Sequence, residues 1–587
     1  MSKNNKLFYK ILTGLFIFLC VFDAYLSYKL YTMYSIIFLQ IGVIILIPLI
    51  LLSLKSYDKF KFYSDINYLK SCWPYAYDIN IDLDKVHKFY EEFGPNFINE
   101  TNFYNIDDQT SSDLNIDDIF KSINICTSTP GEQMLYYILR TPKLNKEDLV
   151  SRNNIIEFLS ENNDIRSELQ VIIASIGKQH KGNIFNLFNT KKVVLSRLKL
   201  IFNILGNVGL IALLSTPFLG VKTLPFLFPL LLVYQFIHTN SSKEIEDEVI
   251  SIGYLGNLIS AAKKISKIEC KELSNELTEL KTLLEPVKNI DRNTFFVSDN
   301  ATDAILEYVK IILLAKIRCY YALVNTIKNN RETLVKIYSL VGKIEAYISV
   351  TSYRERLDNY TSPNFTDKSR YLKINDAIHP LILDGVPNSI ELNKKGVVLT
   401  GSNMSGKSTF MRTIGTNILL SQTIYTSLCS EYTASFFRVL SSLSISDDVT
   451  QGESYYLGEC NSILRILNSI EEKTPAFCII DEIFKGTNPL ERIASSKEIL
   501  KYIMDRNALA IIATHDLELA KTCTNNYLCY YFCEDVDKEL GLTFDFKLKT
   551  GICHSGNALK LLDFLGYPEV IIKNSLKSIK DNEKIVF

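Results

Sequence analysis

Gly401-Ser402-Asn403-Met404-Ser405-Gly406-Lys407-Ser408-Thr409 fits the pattern G-x-x-x-x-G-K-[ST], and the apolar run Gly396-Val397-Val398-Leu399-Thr400 stands directly before it. That run reads as a buried strand, and Thr409–Leu420 after the pattern reads as a helix. Strand, glycine loop and helix in this order form the context in which the pattern denotes a phosphate site. The glycines let successive backbone N–H groups close around phosphate oxygens, and the following helix adds its positive end. In such a loop Lys407 reaches the β- and γ-phosphates and the Ser408 hydroxyl ligates Mg²⁺. Gly401, Asn403, Met404, Ser405, Gly406 and Thr409 complete the cradle. ATP with Mg²⁺ is the expected occupant.

Two further runs share this texture. Phe477-Cys478-Ile479-Ile480 ends in Asp481-Glu482, and Ala508–Ala513 ends in Thr514-His515-Asp516. Short apolar runs ending in polar chemistry predict parallel strands with a site at their carboxyl ends. Asp481 suits a Mg²⁺ contact, Glu482 suits a base that polarises the attacking water, and His515 suits a sensor of the γ-phosphate. Between the phosphate loop and Asp481 lies a polar loop, Ser446-Asp447-Asp448-Val449-Thr450-Gln451-Gly452-Glu453-Ser454, with a helical pattern over Leu457–Ile470 after it.

The rest of the chain is of a different character. Its 587 residues are enough for several domains. With 64 basic and 65 acidic residues, a globally basic nucleic-acid coat is excluded and any basic patch is local. The 12 cysteines form no C-x-x-C pair and do not cluster with the 6 histidines, which argues against structural zinc and for reduced thiols. The mean hydropathy of +0.08 comes from four apolar segments in two pairs, Ile11–Tyr25 with Ile36–Leu54 and Leu200–Leu214 with Leu224–Ile237. A membrane-crossing helix needs about 20 apolar residues. Lysines flank each pair and are sparse within it, so both pairs read as membrane hairpins with cytoplasmic ends; for the second, which carries Asn203, Asn207, Pro217, Pro225 and Pro229 and has a short second segment, a buried soluble helix pair is the alternative. Lys243–Leu284 and Asp303–Tyr353 read as long helices. Lys263, Lys264, Lys267 and Lys271, with Lys328, Arg331 and Lys336, are basic clusters on them, which a solvated helix face explains as well as a nucleic-acid contact does. The resulting division is an N-terminal transmembrane hairpin (1–60), a juxtamembrane region (61–115), a helical core (116–195), a second membrane hairpin (196–240), a helical core or lever (241–368) and an α/β P-loop domain (369–587).

These residues resemble the MutS family of DNA mismatch-repair ATPases. Asn403-Met404 inside the phosphate loop, Asp481-Glu482 leading to Gly486-Thr487, Ala513-Thr514-His515 and the Gly452-x-Ser454 loop carry the likeness. His379-Pro380, Val386-Pro387-Asn388, Ser555-Gly556-Asn557-Ala558 and Leu565-Gly566-Tyr567-Pro568 extend it, and Gly131-Glu132-Gln133-Met134-Leu135 resembles the start of the helical core. The resemblance implies an ABC-like ATPase domain, a homodimer in which Ser454 completes the partner's nucleotide site, and helices that enclose double-stranded DNA. The family's mismatch-reading domain has no counterpart here: Phe89-Tyr90-Glu91 has the spelling of its wedge but too little chain around it. Lys485 and Pro489-Leu490-Glu491 also depart from the family's pattern.

The expectation is a multi-pass protein of the cell membrane, bound to the lipid bilayer with its ATPase domain in the cytoplasm. It would bind DNA under ATP control. The alternative is a membrane-embedded ABC-like ATPase machine or scaffold without DNA.

Overall fold

The computed structural model describes residues 2–34, 36–75, 81–94, 103–189, 196–219, 224–243, 245–294, 311–382, 384–402, 405–443, 455–484, 487–537, 541–552, 562 and 565–583. They divide into two compact units, one of residues 1–86, 124–135 and 155–356, the other of residues 87–123, 136–154 and 357–587.

The first unit is helical. Ser2–Met33 and Ile36–Cys72 lie side by side, with Tyr9 stacked on Tyr63 at 5.8 Å between ring centroids. A Cβ at Gly42 would stand 1.9 Å from Ser27 Oγ, so the backbones approach through small residues, as apolar helices do when they pair. Leu7, Ile11, Phe18, Val21 and Phe22 face outward and are exposed. Further on, Glu246–Ile265, Ser274–Leu284, Ala315–Asn329 and Arg331–Glu355 pack around a core of leucine, isoleucine and tyrosine side chains. Lys243–Leu284 is therefore broken near Ser266, and the helix foreseen from Asp303 is described only from residue 311.

The expected membrane hairpins require correction. Among the described residues one helix, Asn5–Met33, is long and apolar enough to cross a bilayer, and Lys199–Ala212 and Phe228–Ile237 are shorter apolar stretches within longer helices. Asn203 and Asn207, within the helix Ser196–Leu219, accept from the Arg318 guanidinium, each at 3.2 Å. Phe202 stacks on Tyr321 at 5.4 Å. One side of this helix thus meets an arginine of the same unit, while Leu200, Ile201, Ile204, Val208 and Ile211 on it are exposed.

The second unit is built on a six-stranded sheet. The strands of this unit are β1 (Asn364–Phe365), β2 (Tyr371–Ala377), β3 (Asn388–Asn393), β4 (Gly396–Thr400), β5 (Glu431–Ala434), β6 (Arg438–Ser442), β7 (Ala476–Asp481), β8 (Ala508–Ala513), β9 (Tyr527–Tyr531), β10 (Glu534–Asp537), β11 (Gly541–Phe544) and β12 (Lys549–Thr550). The order β12-β9-β4-β8-β7-β6 is parallel from β9 to β6. Strands buried on both faces read as continuous apolar runs, and every residue of β4 and β8 is buried. A second sheet, β1-β5-β2-β3, belongs to the same unit. From β4 the chain crosses to β6 and returns through β7 and β8, then passes to β9 on the other side of β4. The carboxyl end of β4 is thus the switch point where such sheets bind ligands.

Candidate functional site

The phosphate loop leaves β4 at Gly401, whose φ of +138° and whose crowding decide its identity: a Cβ there would lie 2.3 Å from the Phe532 carbonyl oxygen. Gly406, at φ +108°, closes the loop at the N-cap of the helix Lys407–Thr423. Lys407 is buried, and its Nζ donates to the Gly401 and Ser402 carbonyls at 2.8 and 2.6 Å. Ser405 Oγ donates to the Ser402 carbonyl at 2.8 Å, and Ser402 Oγ contacts Glu534. Thr409 lies on the helix one residue beyond Ser408. Asn403, Met404 and Ser454 fall outside the described residues, as do Asp447, Asp448, Lys485 and Gly486.

Ser408 Oγ donates to Asp481 Oδ2 at 2.8 Å, which joins the helix N-terminus to the tip of β7. A hydroxyl and a carboxylate oxygen side by side are hard donors of the kind Mg²⁺ takes when phosphates and waters fill its other positions. Directly after Asp481 the backbone enters the left-handed region, at φ +58° in Glu482 and +60° in Phe484. Such backbone in residues with a Cβ is strained and concentrates at functional sites. It turns Glu482 toward β8, where Glu482 Oε1 lies 3.2 Å from His515 Nε2. Glu482 N donates to the Ala513 carbonyl at 3.0 Å and Thr514 N to the Leu399 carbonyl at 2.9 Å, fixing the three strand tips to one another. Sequence position alone foresaw the meeting of Lys407, Ser408, Asp481, Glu482 and His515 at one sheet edge.

Other residues of the site were not foreseen. Arg492 donates through Nε and a terminal nitrogen to the two Asp516 oxygens, both at 2.8 Å, and this bond holds Arg492 further into its charged form. Such two-point pairing is the strong, oriented form of an arginine–carboxylate contact. Asn488 caps the helix Pro489–Asp505 by accepting from Leu490 N at 3.0 Å, so the departing tripeptide Pro489-Leu490-Glu491 is the first turn of a capped helix. Glu482, Arg492, Ser496, Thr514, His515 and Asp516 line a cavity of about 170 Å³. The signal in the sequence was weak: Asp516 follows His515, but nothing near Arg492 marks it as its partner.

Two earlier candidates fare differently. Phe89 is 4% exposed in the helix Leu83–Phe93 and packs on Phe93, so it does not stand out as a wedge. Lys263 Nζ lies 2.7 Å from Asp291 Oδ1, so that lysine is neutralised within its own unit, whereas Lys264, Lys267, Lys271, Lys328, Arg331 and Lys336 are exposed.

His379, two residues beyond β2, is buried beside Arg412, and burial with that positive charge pushes its pKa down from 6.5 to about 4. The neutral ring therefore contributes stability that is complete above pH 6.5 and lost as the pH falls through 4. His379→Gln should remove up to about 3 kcal/mol of this pH dependence. Denaturant unfolding of both chains at pH 7 and pH 4 checks it, and parallel pH profiles would rule it out.

The sheet order, the glycine loop and the Ser408–Asp481 pair define an α/β fold of the P-loop class. Residues 397–583 match the family model for MutS domain V. Over longer stretches the chain is similar to the DNA mismatch repair protein MutS of Leptospira interrogans, with 24% identity over 360 residues, 59% of this chain and 41% of that protein. It is 23% identical to the MutS of Petrotoga mobilis over 514 residues, 78% of this chain and 61% of the relative. It is 24% identical to the DNA mismatch repair protein MSH3 of Vanderwaltozyma polyspora over 482 residues, 76% of this chain and 45% of that protein. The chain thus spans less than two thirds of the length of these relatives. Together these findings show that the chain is similar to MutS-family proteins, with the domain V match confined to residues 397–583.

Proposed function

We propose that this chain is a MutS-type ATPase that hydrolyses ATP to ADP and phosphate, acts as a dimer, and couples that cycle to binding DNA beside a membrane. The observation that carries the reading is the convergence of Lys407, the Ser408–Asp481 pair and the Glu482–His515 pair on the carboxyl ends of β4, β7 and β8. The site suits a triphosphate with Mg²⁺: the loop admits no Cβ at Gly401, and Lys407 is held at its centre by carbonyls that phosphate oxygens can replace. Lys407 and the loop amides would bind the phosphates, and Ser408 and Asp481 would hold Mg²⁺, which when bound neutralises charge on the phosphate oxygens. Glu482 orients and deprotonates the attacking water, and His515, 3.2 Å away, fixes the Glu482 carboxylate and senses the γ-phosphate.

DNA binding and dimerisation rest on the MutS likeness and on the exposed basic side chains Lys264, Lys267, Lys271, Lys328, Arg331 and Lys336. Membrane attachment rests on the exposed apolar face of the helix Asn5–Met33. One flotation experiment addresses both. Purified protein mixed with anionic vesicles and duplex, mismatched or branched DNA should float with the lipid and carry DNA when ATP is present. DNA retention should fall steeply with salt, as phosphate contacts require. Protein that floats and binds ATP but carries no DNA at low salt favours the machine without DNA. Protein that stays in the aqueous fraction contradicts the tether.

A further inference from the structure

We propose that residues 104–114 are a positioning strap, centred on Asp113, that ties the phosphate-loop helix to the far edge of the sheet and thereby sets the rate of turnover rather than nucleotide affinity. The proposal rests on the ATPase reading above.

An edge strand exposes alternate backbone N–H groups that would accept another strand. On β6 and just past its end, these are the groups of Val439, Ser441 and Leu443. Side-chain oxygens of the strap meet each of them. Tyr104 OH accepts from Val439 N at 3.0 Å, Thr110 Oγ1 from Ser441 N at 3.1 Å, and Asp113 Oδ2 from Leu443 N at 2.9 Å. Asp113 Oδ2 also accepts from Ser441 Oγ at 2.7 Å, and its Oδ1 from Gln109 Nε2 at 3.0 Å. The residue is 1% exposed. A carboxylate so buried is costly unless its acceptors are filled, and here they are.

An edge cap alone would need no more than this. The strap also reaches the phosphate-loop helix and the helix Tyr455–Asn468. Arg412 Nε donates to the Asp113 carbonyl oxygen at 2.7 Å, and Arg412 lies one helical turn beyond Ser408 on the phosphate-loop helix. Leu114 packs at Gly415 of that helix, where a Cβ would come within 3.0 Å of its Cδ2. On the other side, Arg465 of the helix Tyr455–Asn468 pairs with Asp107 at 2.5 Å and contacts the Ser441 carbonyl. Asp107 in turn caps the strap's short helix, accepting from Thr110 N at 2.8 Å. A shift of the phosphate-loop helix is therefore passed through Arg412 and Asp113 to Ser441 and Leu443. Phosphate contacts at Lys407 and Ser408 lie outside this path, so binding does not depend on it.

Asp113→Asn keeps shape and loses one acceptor, and Ser441→Ala removes a single donor to it. Phosphate release and titration with a fluorescent ATP analogue separate kcat from Kd. Asp113→Asn should lower kcat about tenfold and Ser441→Ala about threefold, each leaving Kd within about twofold. Folded variants with wild-type kcat, or with Kd weakened as much as kcat falls, would overturn the strap. Amide hydrogen exchange supplies a second measurement that needs no hydrolysis. Asp113→Asn should speed exchange both at 441–443 and in the phosphate-loop helix at 412–416, around the contacts of Arg412 and Gly415. Acceleration confined to 441–443 would make Asp113 a local cap and overturn the proposal, whereas acceleration at both places in a protein whose wild type hydrolyses no ATP would keep the mechanical tie and defeat the ATPase reading, with the turnover role that rests on it.

Discussion

Lys407→Ala should abolish useful ATP binding, weakening Kd roughly 100-fold or more while the chain stays folded. A charge-assisted contact in a water-poor site is worth about 2–5 kcal/mol when one partner is truncated. Lys407 is buried at the centre of its loop, and its ammonium already sits on the Gly401 and Ser402 carbonyls. Loss of the ammonium takes its donors from those two carbonyls, so a loss of stability of about 1–3 kcal/mol should accompany the loss of binding. It also leaves the β- and γ-phosphates without their nearest protein cation. Lys407→Arg should rescue little, because the planar guanidinium does not fit the space between two carbonyls filled by a compact ammonium. Titration with a fluorescent ATP analogue checks the loss, and an affinity within threefold of wild type would remove Lys407 from the site.

Glu482→Gln should divide binding from hydrolysis. The amide keeps the shape of the side chain and cannot take a proton, so the hydrolysis rate should fall about 100- to 1000-fold with ATP affinity preserved. The local structure favours a clean result. Glu482 is held at φ +58° by its own N–H bond to the Ala513 carbonyl, which the substitution does not touch. His515→Ala should cost less, since it removes the partner 3.2 Å away and leaves the base. Single-turnover hydrolysis with pre-bound ATP measures both. A Glu482→Gln chain that turns over at the wild-type rate would refute the assignment of the base.

The strands of the site were legible because their chemistry is local. Gly396–Thr400 and Ala508–Ala513 stand in the structure as the sequence predicts, and β7 extends the Ala476–Ile480 run by Asp481. A strand buried on both faces must be apolar throughout, and a glycine loop must follow where phosphates are to meet backbone. The apolar helices were harder to read. Leu200–Leu214 has the hydropathy of a span, but Asn203 and Asn207 are the partners of Arg318, more than 100 residues away in the chain. Hydropathy counts what a helix contains and is blind to the neighbour that satisfies it.

Residues 104–114 mark the same boundary from the other side. In the sequence they are a polar stretch with no signature; folded, they cover the edge of β6 and hold Arg412 and Arg465. By itself the sequence determined the phosphate loop, the acid pair after β7 and the histidine after β8, because each is a short pattern whose spacing along the chain sets its geometry. Only the tertiary structure decided which side chains fill the sheet edge, which arginine closes on Asp516 and which one meets Asn203 and Asn207. Those choices pair groups distant in sequence, and their free energy exists only once both partners have left water and met.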